Sequence, residues 1–304
     1  MYDLIITGGG PAGLTAGIYA KRSLLKTLLL EKGIVGGQVN ITDIIENYPG
    51  FPSLSGTELV EKFQEHVDGL DLEVRQEDVL EIEDRGREKV LKTTGGDISA
   101  SAVIIASGAS PKGLGVPGEK EFRGRGVSYC GTCDGPFFRN QRVLIVGGGD
   151  TAIKEAIYLS KIADKVYVAH RRDQLRAEKI LQERVLNIPN VEMLWNSILL
   201  EIKGEKGVEM TILQNKKTGE KSKLDIDGVF IFVGILPNVD FVDVEKDKWG
   251  FIKTNENMET SVKGIFAAGD CRVTPLRQVA TAVGDGAIAA FTAEKYIEEM
   301  GDIT

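Results

Sequence analysis

Short apolar runs recur along the chain and predict buried strands. Apolar runs of this length, bounded by turn residues, are typical of strands in a parallel sheet. They occupy residues 1–6, 28–30, 103–108, 229–234 and 265–270. Residues 279–300 instead predict a C-terminal helix that packs back on the first domain. Buried strands of this kind combined with helices indicate an α/β protein.

Two segments match at a fixed offset and form a partial internal repeat. ITGGGPAGLTAGIYAKR starts at Ile6 and IVGGGDTAIKEAIYLSK starts at Ile145, an offset of 145 − 6 = 139. Each combines an apolar strand, a glycine turn and a helix. The third-position glycine of the first copy is replaced by alanine in the second, an accepted variant of the pattern. The loop positions are Gly8, Gly10 and Gly13, then Gly147, Gly149 and Ala152.

The glycine turns predict two dinucleotide sites. Glycine lets the backbone turn tightly and approach a pyrophosphate, and the helix N-terminus offers unpaired N–H groups to phosphates. One such motif is weak evidence, but two copies in the same strand–turn–helix context are strong evidence. We therefore predict two Rossmann-like dinucleotide-binding domains.

The residues at the ends of the second strands distinguish the two sites. In the first copy the strand ends at Glu31, which suits the hydroxyls of an unphosphorylated ribose, as in FAD or NAD. The same offset leads to His170, followed by Arg171, Arg172 and Arg176. Guanidinium groups suit a 2′-phosphate and predict NADPH. The alternative is a solvated basic helix start.

Two glycine- and proline-containing stretches bracket the middle of the chain and predict linkers. They are residues 113–118 and 234–238. Linkers of this composition separate domains. We predict that an NADPH-binding domain, residues 113–238, is inserted into an FAD-binding domain formed by residues 1–112 and 239–304.

The sequence Cys130-Gly131-Thr132-Cys133, followed by Asp134, lies just before the second glycine loop. Two cysteines at this spacing can form a disulfide and open it again. A dithiol between two dinucleotide sites suggests electron transfer from nicotinamide to flavin to disulfide. The alternative is half of a zinc site, which usually needs four ligands. The chain has only two histidines and no second CxxC, and we predict no metal.

Composition narrows the class of protein further. The chain has 304 residues, 42% of them hydrophobic and 27% charged, which is ordinary for a globular protein. A net charge of −8 argues against a nucleic-acid partner. No apolar run reaches the roughly 18 residues of a membrane helix. With no leader pattern and only three cysteines, we expect a cytoplasmic protein with no membrane partner.

The chain closely resembles the bacterial low-molecular-weight thioredoxin reductases. The resemblance spans nearly the whole chain, in the family's order, and implies a homodimeric flavoprotein that uses NADPH to reduce the disulfide of thioredoxin. The motifs that carry it are GGGPAG, VGGQ, ENYPGFP, CGTCDG, GGGDTA, HRRDQLRAEKIL, FVGILPN, AAGDC and RQVATAVGDG.

Residue roles follow from the resemblance position by position. Cys130 and Cys133 would form the redox disulfide, and Asp134 would be the acid–base group. FAD would contact Gly8, Gly10, Ala12, Gly13, Glu31, Gln38, Asn47, Val79, Asp270, Arg277, Gln278 and Val279. NADPH would contact Gly147, Gly149, Asp150, Thr151, His170, Arg171, Arg172 and Arg176.

Several alternatives stay open at this point. Asp134 is equally well explained as a helix cap or turn residue. A protein of the same fold could take electrons from ferredoxin, or reduce another thioredoxin-like acceptor. Pro136 and Phe137 stand where the family often has two aromatic residues. Cys271 is outside the redox pair, and we expect it to be a partly buried apolar residue.

Overall fold

The computed structural model describes residues 1–42 and 45–301, apart from the side chains of Ile41, Thr132 and Cys133. The chain forms two compact units. The first combines Met1–Ser110 with Leu236–Thr304, and the second is Pro111–Ile235. The second unit is thus inserted into the first. Each division lies slightly N-terminal of the predicted limit, and the domain ranges stay predictions.

Strands and helices alternate at the start of each unit, whereas two later series of strands follow one another without an intervening helix. The strands are β1 (Tyr2–Thr7), β2 (Thr27–Leu30), β3 (Glu73–Arg75), β4 (Val79–Arg85), β5 (Glu88–Thr93), β6 (Gly96–Ile105), β7 (Ala109–Pro111), β8 (Val127–Ser128), β9 (Arg142–Gly147), β10 (Lys165–His170), β11 (Val191–Trp195), β12 (Ser197–Lys203), β13 (Met210–Asn215), β14 (Lys221–Asp225), β15 (Gly228–Phe232), β16 (Ile235–Pro237) and β17 (Ile265–Ala267). The helices are α1 (Pro11–Arg22), α2 (Gly56–Asp68), α3 (Gly131–Asp134), α4 (Asp150–Leu159), α5 (Lys179–Leu186) and α6 (Val279–Glu299). Short 3₁₀ helices span Gly37–Ile41, Gly135–Phe138 and Gly269–Cys271.

The main sheet of the first unit has the strand order β3-β2-β1-β6-β5-β4, and β17 also pairs with β6. The strands β3, β2, β1, β6 and β17 pair in parallel. Strand β5 pairs antiparallel with both β6 and β4. Parallel sheets are covered on both faces, so their strands are apolar throughout. Leu4, Ile5 and Ile6 of β1 accordingly have no exposed surface.

Helix α1 begins with Pro11, directly after the first glycine turn. Proline suits this position because its fixed φ is helical and the missing N–H would have no partner inside the helix. Helix α1 packs closely against α6, since a β-carbon at Gly286 would lie 2.1 Å from the carbonyl oxygen of Ala12. Among the described residues, no helix has both the length and the apolar character needed to cross a membrane.

The second unit contains a five-stranded parallel sheet of order β11-β10-β9-β15-β8. A separate antiparallel sheet has the order β12-β13-β14. Helix α4 follows β9 through the second glycine turn, as α1 follows β1 in the first unit. Both units therefore have the strand–turn–helix start of a Rossmann-like domain, and in each the glycine turn lies at the carboxyl end of the central strands.

Candidate functional site

The first glycine loop allows a phosphate to approach the start of α1. Gly8 has φ +107°, and a β-carbon there would lie 2.4 Å from the carbonyl oxygen of Ala106. A β-carbon at Gly13 would lie only 1.9 Å from the Gly8 oxygen. At Gly10, by contrast, nothing among the described residues lies within 4 Å of the β-carbon position. The loop is thus tightly packed on the sheet side and open in front of the helix N-terminus, an arrangement suited to a pyrophosphate.

Glu31 is fixed beside this loop by two backbone N–H groups. Its Oε2 accepts a hydrogen bond from Gly9 at 2.7 Å, and its Oε1 accepts one from Gly33 at 2.8 Å. A carboxylate has about four acceptor positions, so two remain for ribose hydroxyls. The geometry is consistent with the predicted role of Glu31.

Asp270 lies in the 3₁₀ helix Gly269–Cys271, which follows β17. Burial raises the pKa of Asp270, the nearby Arg277 lowers it, and Asp285 raises it further. The Asp270 carboxylate has no hydrogen-bond donor among the described residues. A desolvated acceptor of this kind is suited to a hydroxyl group of a bound ligand.

Asp285 holds this segment in place, and sequence reasoning missed it. Its two oxygens accept hydrogen bonds from Nε and Nη2 of Arg272, both at 2.7 Å, and Oδ2 also accepts one from the Gly269 N–H at 3.0 Å. Asp285 is 7% exposed. The motif RQVATAVGDG contains Asp285, but its partners lie earlier in the chain, so no local pattern indicates the role.

The remaining predicted flavin residues lie in four segments of the first unit. Asn47 Nδ2 donates to Gln278 Oε1 at 3.0 Å, which brings two of the predicted residues together. Gln278 caps α6, and Val279 is the first residue of that helix. Gln38 is exposed, whereas Val79 is buried at the start of β4. No contact of Gln38 or Val79 with the other predicted residues is among those described.

The second glycine loop is also packed against a strand on one side and open on the other, but a histidine lies beneath its middle glycine. A β-carbon at Gly147 would lie 2.5 Å from the carbonyl oxygen of Phe232, whereas Gly149 faces open space among the described residues. A β-carbon at Gly148 would lie 2.2 Å from Nδ1 of His170. The His170 ring therefore fills the space beneath the loop.

His170 is a buried support of the loop. It is 5% exposed, and its ring nitrogens lie 3.0 Å from the Gly147 oxygen and 2.9 Å from the Gln174 oxygen. Burial lowers the pKa of His170, and Arg176 and Arg172 lower it further, although the two carbonyl contacts oppose this. The structure thus gives His170 a role in shaping the loop, and the described contacts do not turn its ring towards the open side.

The three predicted arginines are exposed in the segment between β10 and α5. The Arg176 backbone N–H donates to the Gly148 oxygen at 2.8 Å, which holds this segment against the glycine loop. Within the described part of the chain, the guanidinium groups of Arg171, Arg172 and Arg176 form no ion pair or side-chain hydrogen bond. Unpaired guanidinium groups beside an open helix N-terminus are suited to a phosphate.

Asp150, at the start of α4, connects two helices. Its Oδ1 accepts a hydrogen bond from the Glu178 N–H at 2.8 Å, and Glu178 caps the N-terminus of α5. One of its oxygens is thus already engaged within the protein. Thr151, the next residue, is exposed at the helix N-terminus.

The dithiol segment follows β8 in the second unit. Cys130 is in a disulfide bond, whereas the side chain of Cys133 lies outside the described residues. Ser128 Oγ accepts from the Cys130 N–H and donates to the Cys130 carbonyl oxygen, both at 3.0 Å. Asp134 ends the short helix α3, and its side chain makes no capping hydrogen bond to the 3₁₀ helix that follows. The cap interpretation of Asp134 therefore gains no support.

Two neighbours shape the surface around the dithiol segment. Glu155 of α4 lies against it, since a β-carbon at Gly131 would be 2.0 Å from Glu155 Oε2. Phe137 is 78% exposed, whereas Phe138 is buried and packs edge-to-face on Phe230 at 5.2 Å. An exposed aromatic ring therefore lies a few residues from Cys130.

Cys271 is more deeply buried than the expected partial burial. It has no exposed surface, and its Sγ lies 3.4 Å from the Ile105 oxygen and 3.3 Å from the Ala268 oxygen. Burial raises the pKa of the Cys271 thiol to about 12. A buried thiol of this kind is inert. Across the described residues, no cluster of three or more potential ligands could hold a metal ion.

The fold and these two loops define a class of protein that comparison with known proteins identifies. Residues 2–286 match the family of pyridine nucleotide-disulphide oxidoreductases. The chain is 48% identical to a thioredoxin reductase of Bacillus subtilis, over 99% of this chain and 96% of the relative. It superimposes on a thioredoxin reductase of Lactococcus lactis with a TM-score of 0.95 and 45% identity, covering 98% and 100% of the two chains.

A ferredoxin-flavin thioredoxin reductase of Clostridium acetobutylicum is a more distant match. It has 33% identity and a TM-score of 0.54, with 99% and 98% of the two chains covered. The chain belongs to the pyridine nucleotide-disulphide oxidoreductases and, within them, to the thioredoxin reductases. The predicted family and α/β fold class are confirmed, and the protein is an oxidoreductase.

Proposed function

We propose that the protein passes electrons from NADPH through FAD and the Cys130–Cys133 disulfide to oxidised thioredoxin. The observation that carries this proposal is the disulfide at Cys130, in the same unit as a glycine loop flanked by unpaired arginines. Bound FAD would supply a carrier that accepts a hydride and reduces a disulfide. The proposal keeps NADPH rather than ferredoxin as donor because Arg171, Arg172 and Arg176 suit a 2′-phosphate.

The residues of the first unit fit the flavin nucleotide. The open N-terminus of α1 would bind the pyrophosphate through backbone N–H groups, and Glu31 would accept from the adenosine ribose. The carboxylate of Asp270 would accept from the remaining polar part of the cofactor, with Arg277 beside it. Asn47 and Gln278 would complete the site as a hydrogen-bonded pair.

In the second unit, two hydrogen bonds with Ser128 Oγ fix the backbone of Cys130. Asp134 would take and return the proton that thiol–disulfide exchange requires, because the attacking species is a thiolate. Phe137 would form part of the docking surface for thioredoxin, which its high exposure supports. We also propose a homodimer, while placement in the cytoplasm stays a prediction.

Cysteine variants test this proposal against a matched control. Cys130→Ser and Cys133→Ser should still lose flavin colour on addition of NADPH but should not reduce thioredoxin. Asp134→Asn should slow thioredoxin reduction about 10²- to 10³-fold, with flavin reduction nearly unchanged. Cys271→Ala should retain full activity because its thiol is buried and free. Thioredoxin reduction by either serine variant would overturn the proposal.

A further inference from the structure

A lysine at the tip of the β13–β14 hairpin lies against the segment that carries the unpaired arginines. Its ammonium nitrogen, Nζ of Lys217, is 2.8 Å from Oδ2 of Asp173. Asp173 is the one carboxylate in residues 171–176, between Arg172 and Arg176. Lys217 thus pairs with the single negative charge inside the proposed anion site.

The hairpin tip holds Lys217 in a defined place. The side-chain oxygen of Asn215 accepts from the Lys217 N–H at 2.8 Å and from the Thr218 N–H at 3.2 Å. Gly219 closes the turn with φ +75°, and its N–H donates to the Asn215 carbonyl oxygen at 2.8 Å. An Asx turn of this kind fixes the local backbone.

Backbone hydrogen bonds also connect the tip to the arginine segment. The Asn196 N–H donates to the Arg172 carbonyl oxygen at 3.1 Å, and the Lys216 N–H donates to the Asn196 carbonyl oxygen at 2.6 Å. The position of Lys217 relative to Arg172 is therefore set by the fold of this unit and does not depend on the ion pair alone.

A carboxylate in an anion site has two adverse effects. It repels the phosphate, and it competes for the neighbouring guanidinium groups. The hydrogen bond from Lys217 lowers the pKa of Asp173, as expected for an ion pair between the two side chains. Lys217 neutralises this charge and occupies one carboxylate oxygen, which leaves Arg171, Arg172 and Arg176 available.

We propose that Lys217 is a positioning residue for cofactor specificity, which neutralises Asp173 and so favours a nicotinamide dinucleotide that carries a 2′-phosphate. This inference rests on the proposed function of the second glycine loop. Because both side chains are more than 60% exposed, solvent screens the pair and the effect is modest. The effect is specific, however, to ligands with the extra phosphate.

The test compares two probes on the full-length, flavin-loaded protein by titration calorimetry. The probes are adenosine 2′,5′-bisphosphate and adenosine 5′-monophosphate. Lys217→Ala should bind the bisphosphate about two- to fivefold more weakly, as expected for one exposed ion pair, and bind the monophosphate as wild type does. Lys217→Arg should restore the affinity. Lys223→Ala, an exposed lysine on the same hairpin with the same change in charge, should have no effect.

A double-mutant cycle separates this inference from the proposed function. In an Asp173→Asn background, Lys217→Ala should lose most of its effect, because the carboxylate to be neutralised is gone. If wild type shows no preference for the bisphosphate, the NADPH proposal fails and the inference with it. If wild type shows the preference but Lys217→Ala leaves it unchanged, or weakens both probes equally, only the inference fails.

Discussion

The two glycine loops have the same strand–turn–helix backbone. They differ in the side chain beneath the middle residue of the Gly-Gly-Gly run, which is Gly9 in the first loop and Gly148 in the second. Gly9 and Gly148 are 139 residues apart, as are their neighbours Glu31 and His170. Glu31 accepts a hydrogen bond from the Gly9 N–H of the loop itself. His170 is buried and lies against Gly148, while the charges are carried by arginines further along the segment. On the proposed function, the same fold would offer a carboxylate to a ribose in one unit and guanidinium groups to a phosphate in the other.

The largest expected difference between the loops lies at their third positions, Gly13 and Ala152. Gly13→Val should abolish flavin retention, because even its β-carbon would lie 1.9 Å from the Gly8 oxygen. Ala152→Gly should keep the flavin and lower the free energy of unfolding by about 1 kcal/mol, the usual helix cost of glycine. The flavin-to-protein absorbance ratio measures flavin content in both variants, and urea unfolding measures the change in free energy. Normal flavin content in Gly13→Val would contradict this account of the first loop.

The next effect concerns the arginines of the second loop. Replacing Arg171 and Arg172 together with alanine should raise KM for NADPH about 10²- to 10⁴-fold, since two charged hydrogen bonds of about 1.5–3 kcal/mol each would be lost. KM for NADH should change less than about twofold, because the missing contacts are to the 2′-phosphate. Steady-state kinetics with both donors measure the ratio. An equal rise in KM for NADPH and NADH would show that these arginines support the loop and do not bind the 2′-phosphate.

Asp270→Asn should weaken FAD binding about tenfold. The same change should raise the free energy of unfolding of the flavin-free protein at pH values above the raised pKa of Asp270. Burial raises the pKa of Asp270, so the folded apoprotein holds this proton more tightly than the unfolded chain. Its contribution to stability is therefore lost as pH rises through the raised pKa. The asparagine apoprotein should be more stable than wild type at about pH 8 and gain nothing at about pH 4. Thermal unfolding of both flavin-free proteins checks the sign, and equal gains at both pH values would contradict it.

The smallest effect compares the middle glycines. Gly9→Ala should change flavin binding by less than about threefold, since its β-carbon would lie 3.2 Å from the Glu31 side chain, a contact that a small shift relieves. Gly148→Ala should weaken NADPH binding more strongly, because its β-carbon would lie 2.2 Å from the packed His170 ring. Fluorescence titration of both variants measures the difference. A larger loss of cofactor affinity in Gly9→Ala than in Gly148→Ala would contradict the tighter packing described for the second loop.

The sequence predicted the features that local patterns encode. The 139-residue offset placed Glu31 and His170 at equivalent positions, and the structure puts both beneath the middle glycine of their loops. The glycine turns and the parallel sheets follow from apolar runs and turn residues in the same way. These predictions succeed because each depends on neighbours a few residues apart.

The features that the sequence did not reveal depend on distant contacts. The burial of His170 requires the glycine loop to fold over it, and the function of Asp285 requires Arg272 and Gly269 to be in place. The pairing of Lys217 with Asp173 joins residues 44 positions apart. From the sequence alone, the negative charge of Asp173 argues against an anion site in this segment. The structure shows that Lys217 pairs with this charge.

The most direct test of the central claim is an anaerobic titration that follows flavin absorbance. The claim is that the first loop holds FAD and that the second reads the 2′-phosphate of the donor. We predict that NADPH bleaches the flavin at far lower concentration than NADH, and that oxidised thioredoxin then restores the colour. Equal bleaching by NADPH and NADH, or none by either, would contradict the assignment of the second loop.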